Sequence, residues 1–88
     1  MHQLLRRADD VFEASVDDVT LLLNADTGRY HSLNPVAARI WDLLAEPVDE
    51  AGIVAGLLAE FDVAPDACRQ AVSTFLTGLR ERGLVTEA

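Results

Sequence analysis

The sequence predicts an α+β fold of the winged helix-turn-helix type, in which a three-stranded antiparallel sheet is followed by three helices. The first half of the chain carries short β-branched or aliphatic runs separated by turn residues. The second half carries apolar residues at three-to-four spacing, and its last two helical segments lie only a few residues apart. Because a chain of 88 residues has room for one small core, we expect residues 1–88 to form a single domain.

Three strands are expected in the first half of the chain. Val11–Ser15 and Val19–Asn24 are apolar runs that flank a turn at Asp17–Asp18. The segment Ala25–Gly28 reads ADTG, and its glycine adopts a positive φ without strain, so it predicts a hairpin turn. The third strand, Arg29–Leu33, would then pair with the second.

Helix boundaries follow from capping residues and prolines. Asn34, followed by proline, begins the first helix, and Pro47 stops it. Asp49 begins the second, which ends near Asp62, and the third runs from the Ala-Pro-Asp segment 64–66 to Gly83. The apolar stripes of the three helices are Val36, Ile40, Trp41, Leu43 and Leu44; Ile53, Val54, Leu57, Leu58 and Phe61; and Cys68, Val72, Phe75 and Leu79.

Charge and cysteine content exclude several classes of protein. The formal net charge is −8, from seven arginines and fifteen acidic residues, so nucleic acid and anionic membranes are unexpected partners. No apolar run approaches the length of a membrane span. A single cysteine forms no disulfide within the chain, which favours a reducing, cytoplasmic location.

The sequence offers few groups for catalysis or metal binding. Cys68 falls on the apolar face of the third helix, which is typical of a buried, inert thiol. His31 has no ligand partner at metal-binding spacing, His2 lies at the terminus, and Asp17–Asp18 is explained by its turn. We therefore expect no enzyme activity, no metal and no cofactor; an enzyme that uses the Cys68 thiolate is the alternative, and an alkylation test of that thiol decides between the two.

The third helix has an apolar edge bordered by polar groups. At 100° per residue, Leu76, Arg69, Arg80 and Ser73 follow one another along one flank of its apolar stripe. If this flank lies beside the third strand, the two form a groove suited to strand addition by a peptide, and Leu76→Glu would abolish binding without unfolding. The competing interpretation places Leu76 in the core and leaves the arginines as a solvated face.

The segment Val19–Leu44, VTLLLNADTGRYHSLNPVAARIWDLL, resembles the PqqD-like proteins. Their recurring features include an aliphatic strand, a T-G turn, an aromatic strand, L-N and then A-R-I-W. The D-V-x-P junction at Asp62–Pro65 and the ending FLTGLRERGLV at Phe75–Val85 are similar too. The resemblance covers Val11–Val85, and its TGRYHSLNP segment is most similar to the stand-alone recognition proteins of lasso-peptide pathways.

This resemblance implies a peptide-recognition domain. Such domains hold the leader of a precursor peptide as an added strand and present it to modifying enzymes; in lasso pathways these are a leader-removing cysteine protease and an ATP-dependent macrolactam cyclase. Service to another class of modified peptide or to the quinone-cofactor pathway remains an alternative, and a winged-helix DNA-binding role is a further one. Carried over by position, the peptide-binding residues would be Arg29, Tyr30, His31, Ser32, Leu33, Arg69, Val72, Ser73, Leu76 and Arg80.

Overall fold

The computed structural model describes residues 3–88. Along the chain its elements are β1 (Leu5–Arg7), β2 (Val11–Val16), β3 (Val19–Asn24), β4 (Arg29–Leu33), α1 (Pro35–Leu43), α2 (Glu50–Glu60), α3 (Pro65–Glu81) and β5 (Val85–Glu87). The predicted three-stranded sheet and three helices are confirmed. α1 ends at Leu43, earlier than the expected stop at Pro47.

The three predicted strands form one antiparallel sheet in the order β2-β3-β4. Asp17 and Asp18 have φ values of 49° and 67°, so a two-residue turn with both residues in the left-handed region joins β2 to β3. Gly28 has a φ of 73° and ends the turn between β3 and β4, as the sequence predicts. Asp17 and Asp18 therefore have a structural explanation in the hairpin.

Two short strands were not predicted. β1 and β5 pair antiparallel, with Arg6 opposite Thr86, and form a second, two-stranded sheet. Each has only three residues, too few for an apolar alternation to show in the sequence. Leu5 also exchanges two backbone hydrogen bonds with Val48, of 2.8 and 3.0 Å, so β1 is fastened to the segment between α1 and α2.

Side-chain caps start the first two helices where the sequence places them. Asn34 Oδ1 accepts a 2.7 Å hydrogen bond from the backbone N–H of Ala37. Asp49 Oδ1 accepts one of the same length from the N–H of Gly52. α3 begins without a side-chain cap at Ala64, with proline at its first position.

One apolar core joins the sheet to the helices. Trp41 and Leu22 are almost fully buried at its centre, and α3 is the longest helix packed against it. Burial of this apolar surface stabilises the fold and fixes how α3 lies relative to α1 and β4. The buried core residues are Leu5, Leu22, Leu33, Ala37, Ile40, Trp41, Leu44, Ile53, Val54, Leu57, Cys68, Val72, Leu76, Leu79, Leu84 and Val85.

Candidate functional site

β4 is an edge strand whose free side faces no other strand within residues 3–88. The N–H of Ala25 donates to Asp10 O at 2.8 Å, so odd-numbered residues of β3 bond to β2 and even-numbered ones bond to β4. In the register of β3 and β4, the even-numbered residues of β3 lie opposite the odd-numbered residues of β4; Leu22, for example, lies opposite His31. The odd-numbered residues of β4 therefore use their backbone groups to bond to β3. The N–H and C=O groups of Tyr30 and Ser32 therefore point to the open edge.

Side chains alternate regularly along β4. His31 is half-buried and Leu33 is 7% exposed, so both face inward, whereas Tyr30 is 70% exposed on the outer side. Tyr30 and Leu33 thus lie on opposite faces of an unbent strand, and Leu33 is the one that points into the core.

α3 has two flanks with different neighbours. One flank, with Ala67, Ala71 and Phe75, faces the start of α1 and lies on the side of β4. The opposite flank, with Ser73 and Arg80, faces β1 and the start of α2. The core residues of the helix separate the two.

The α3 residues selected from the sequence lie in the core or on the opposite flank. Val72 and Leu76 are 1% and 3% exposed. Arg69 is exposed and paired with Asp66 across 2.9 Å, while Ser73 and Arg80 are exposed beside β1. The structure brings none of these exposed side chains alongside β4, so their role in peptide binding stays a prediction.

The burial of Leu76 has a consequence for mutagenesis. A charged residue in place of this core side chain removes packing on every side, so Leu76→Glu would destabilise the fold as well as any groove. The burial of Leu76 agrees with the competing interpretation, which placed it in the core, and argues against the expectation that this variant would leave the fold intact.

An apolar cavity of about 410 Å³, which we call the α1–α3 groove, lies between the first turn of α1 and the first half of α3. Asn34 follows directly after the end of β4, so the groove continues from that strand. Val36 is 43% exposed and Phe75 half-buried at the groove. The walls are formed by Asn34, Val36, Ala37, Ile40, Leu57, Phe61, Val63, Ala67, Cys68, Ala71, Val72 and Phe75.

The helical periodicity places Val36 and Phe75 on apolar stripes that were expected in the core, and it does not reveal the groove. A signal was available in Ala67 and Ala71, two small residues at i, i+4 spacing next to Phe75. Small side chains on the flank of a helix leave space that larger ones would fill. The spacing did not say which element would lie across from them.

Basic groups lie at the other end of β4, next to the turn. His31 has a pKa below its ordinary value because of its burial and the positive charges of Arg82 and Arg29. Arg82 follows the last residue of α3, and its carbonyl accepts a 3.0 Å hydrogen bond from the Asn24 side chain. The end of α3 is thereby fixed against the β3–β4 turn.

The outer face of the three-stranded sheet is apolar and exposed. Phe12, Val16 and Val19 are 60%, 53% and 41% exposed, and in the register they lie on the same side as Tyr30. An exposed apolar surface of this kind on a small domain is typical of an interaction site. We call this surface the outer sheet face; it comprises Phe12, Ala14, Val16, Val19, Leu21, Leu23 and Tyr30.

Groups with catalytic potential are not gathered at the groove. Cys68 is a free cysteine, 6% exposed, in the groove wall. Residues 3–88 contain no cluster of three or more His, Cys, Asp or Glu side chains placed to hold a metal ion. His2 lies outside the described residues. In the same part of the chain, no helix combines the length and apolar character needed to cross a membrane.

Comparison with known proteins gives three findings. The family described as coenzyme PQQ synthesis protein D (PqqD) matches residues 20–85. The structure of TbiB1 in complex with the TbiA(beta) leader peptide is similar, with a TM-score of 0.83 and 34% identity, covering 91% of this chain and 93% of that one. A lasso peptide synthetase B1 complexed with its leader peptide gives a TM-score of 0.82 at 26% identity, covering 93% and 96%. A search of curated proteins found no match.

Proposed function

Because the chain belongs to the PqqD family, we propose that it binds the leader of a ribosomally made precursor peptide by strand addition to β4. The open edge at Tyr30 and Ser32 carries this proposal, since it offers backbone donors and acceptors beside an apolar groove. Two similar structures are complexes with leader peptides, one of them of a lasso peptide synthetase B1. A lasso-peptide precursor is therefore the first candidate ligand.

Strand addition supplies affinity through the backbone. Each new hydrogen bond to the edge contributes about 0.5–1.5 kcal/mol net, whereas ordering a disordered peptide costs about 2–5 kcal/mol. A few backbone hydrogen bonds alone leave little net free energy of binding after this cost, so an anchoring side chain is needed. We place this anchor, an apolar or aromatic residue of the leader, in the α1–α3 groove against Val36 and Phe75.

The outer sheet face gives the complex a second contact. It lies on the side of the sheet away from the core, so a partner bound there leaves the β4 edge open. We propose that the leader-removing cysteine protease docks on this face through Phe12, Val16 and Val19. Both contacts together would hold the cleavage site near the protease and raise its effective concentration.

The role is noncatalytic in this proposal. Residues 1–88 act as one recognition domain in the cytoplasm, and chemistry is left to the protease and the ATP-dependent macrolactam cyclase. The acidic charge of −8 disfavours the DNA-binding alternative. The alternative is a role in the quinone-cofactor pathway, which the family description names. That role would differ from the proposed one only in the peptide that is bound.

The test measures anisotropy of a fluorescent leader peptide from the precursor encoded beside this protein, with a scrambled leader as control. Ser32→Pro removes one N–H from the open edge of β4 without removing a bond to β3, and should weaken binding about five- to tenfold. Ser15→Pro is the matched variant, because it removes an outward N–H from β2, the other edge of the same sheet. Equal effects of the two substitutions, or equal binding of the scrambled peptide, would contradict strand addition to β4.

A further inference from the structure

The arginines of this acidic chain divide into paired and unpaired groups. Arg6, Arg7, Arg39 and Arg69 each form an ion pair with an acidic side chain. Within residues 3–88, Arg29, Arg80 and Arg82 form none and are exposed. The three therefore have no carboxylate of residues 3–88 within ion-pair distance.

Two of these unpaired arginines lie at the same place. Arg29 lies directly opposite Asn24 in the β3–β4 ladder, so both side chains point to the inner side of the sheet. The Asn24 amide holds the carbonyl of Arg82 at 3.0 Å. Asn24 thus brings Arg29 and the backbone of Arg82 together at the turn end of β4, whereas Arg80 lies on the opposite flank of α3.

The Arg82 side chain runs back along α3. Its Nη1 lies 3.4 Å from the position that a Cβ on Gly78 would occupy, one turn earlier in α3. His31 lies two residues beyond Arg29 on the same inner side of β4, and burial, followed by the charges of Arg82 and Arg29, lowers its pKa. Arg29, His31 and Arg82 therefore lie near one another at the inner side of the sheet, toward the turn end of β4.

A peptide strand paired with β4 places alternate side chains on this inner side. A side chain directly opposite Arg29 or His31 has its Cβ about 5 Å from theirs and lies on the same inner side of the sheet. An Asp or Glu there lies beside guanidinium groups that have no ion-pair partner within residues 3–88, in a chain whose formal net charge is −8. The overall charge of the chain opposes an acidic leader, so these arginines supply a local attraction for one carboxylate.

We propose that Arg29, His31 and Arg82 form a carboxylate-recognition site that selects leaders with an Asp or Glu on the inward side of the added strand. This proposal rests on the proposed function, because the ligand is the leader bound at β4. It gives the site a specificity that the apolar groove lacks, since a single carboxylate fixes the register of an otherwise sequence-tolerant strand.

The experiment uses a panel of leader peptides in which each Asp or Glu is exchanged singly for Asn or Gln. One exchange should weaken binding to the wild-type protein about fivefold, and the effect should be absent in Arg82→Gln and reduced in Arg29→Gln. Arg80→Gln is the comparison that distinguishes the two flanks of α3: Arg80, which the family resemblance places among the peptide-binding residues, is also exposed and unpaired within residues 3–88 but lies on the opposite flank, and this proposal expects its replacement to leave the effect unchanged. Glutamine keeps much of the aliphatic stem and removes the charge.

The outcomes separate this proposal from the proposed function. If the unmodified leader binds tightly and no acidic position is coupled to Arg29 or Arg82, the carboxylate site is wrong while peptide recognition stands. If a carboxylate is coupled to Arg80 instead, the site lies on the other flank of α3 and the proposal is likewise overturned. Failure of the unmodified leader to bind would contradict the proposed function itself.

Discussion

The side-chain amide of Asn24 donates a 3.0 Å hydrogen bond to the backbone carbonyl of Arg82, 58 residues later in the chain. Its Oδ1 accepts from the N–H groups of Asp26 and Thr27, at 2.9 and 3.4 Å. Asn24 is 4% exposed, and it is the buried polar residue of the described core. One side chain thus shapes the β3–β4 turn and fixes the end of α3 against it.

Replacing Asn24 should destabilise the protein and loosen this junction. Asn24→Ala removes three hydrogen bonds and leaves the carbonyl of Arg82 without this partner, so we expect a loss of about 2–3 kcal/mol in the free energy of unfolding. Urea denaturation measures it. Thr27→Ala is the control, because its hydroxyl accepts only one exposed bond of 3.3 Å, from Arg29 N–H, and a loss as large there would contradict the role of Asn24.

Arg7 connects β1 to α1 through Trp41. Its Nε and Nη2 donate to the Trp41 carbonyl at 3.0 and 2.6 Å, and the guanidinium lies 4.6 Å from the centre of the indole ring. We expect Arg7→Ala to cost about 1–2 kcal/mol of stability, with Arg7→Lys intermediate because lysine lacks the planar fork.

Fluorescence of Trp41, the single tryptophan of the chain, reports this unfolding directly. Arg6→Ala serves as the comparison, because Arg6 bonds to the exposed carboxylate of Asp9 at 3.0 Å and should contribute less than about 0.5 kcal/mol. Similar losses in the free energy of unfolding for Arg7→Ala and Arg6→Ala would show that the contact with Trp41 does not contribute to stability.

His31 should make stability weakly dependent on pH. Its pKa is lowered in the folded protein by burial and by the charges of Arg82 and Arg29. Glu13 lies on the same face of the sheet, two strands away in the row of Leu22 and His31, but its carboxylate is paired with Arg7. The unfolded chain therefore binds a proton more readily, so this contribution is complete above about pH 6.5 and is lost as the pH falls through the lowered pKa. The free energy of unfolding should fall less steeply in His31→Gln over this range, and equal slopes would contradict the assignment.

Binding of an acidic leader should show the opposite pH dependence. A carboxylate placed beside His31 favours its protonated form, so affinity should rise as the pH falls from about 7.5 to about 5.5, where most carboxylates remain ionised. Anisotropy titrations of wild type and His31→Gln measure the difference. A rise of the same size in the variant would assign it to another group.

Two valines of similar exposure should separate the two binding surfaces. Val36, 43% exposed, lines the α1–α3 groove, and Val19, 41% exposed, lies on the outer sheet face. Val36→Glu should weaken leader binding about tenfold and leave protease docking unchanged; Val19→Glu should do the reverse. Glutamate in the first turn of α1 is compatible with the helix dipole, so loss of the helix is not expected.

Anisotropy with labelled leader and pull-down of the protease, each with the same two variants, measure this reciprocity. Circular dichroism of both variants controls for folding. An effect of Val36→Glu on docking equal to that of Val19→Glu would contradict the separation of the surfaces.

Local signals predicted the three-stranded sheet and the helices. Asn34 and Asp49 cap their helices through side-chain atoms that reach only three residues along the chain, and Gly28 adopts the conformation that its turn requires. Such interactions are complete within a few residues, so the sequence shows them directly. β1 and β5 escaped prediction because their pairing joins the two ends of the described chain and has no local signature.

The sequence by itself determined which face of α3 is apolar, because that face follows from the 3.6-residue repeat. Only the tertiary structure decided which flank of that face lies toward the end of β4 and the start of α1. Periodicity is the same whichever neighbour stands on either side, and the neighbours are set by long-range packing of α1, β1 and the sheet around the core. For that reason Arg80 was chosen from the sequence, and Phe75 and Arg82 emerged only from the fold.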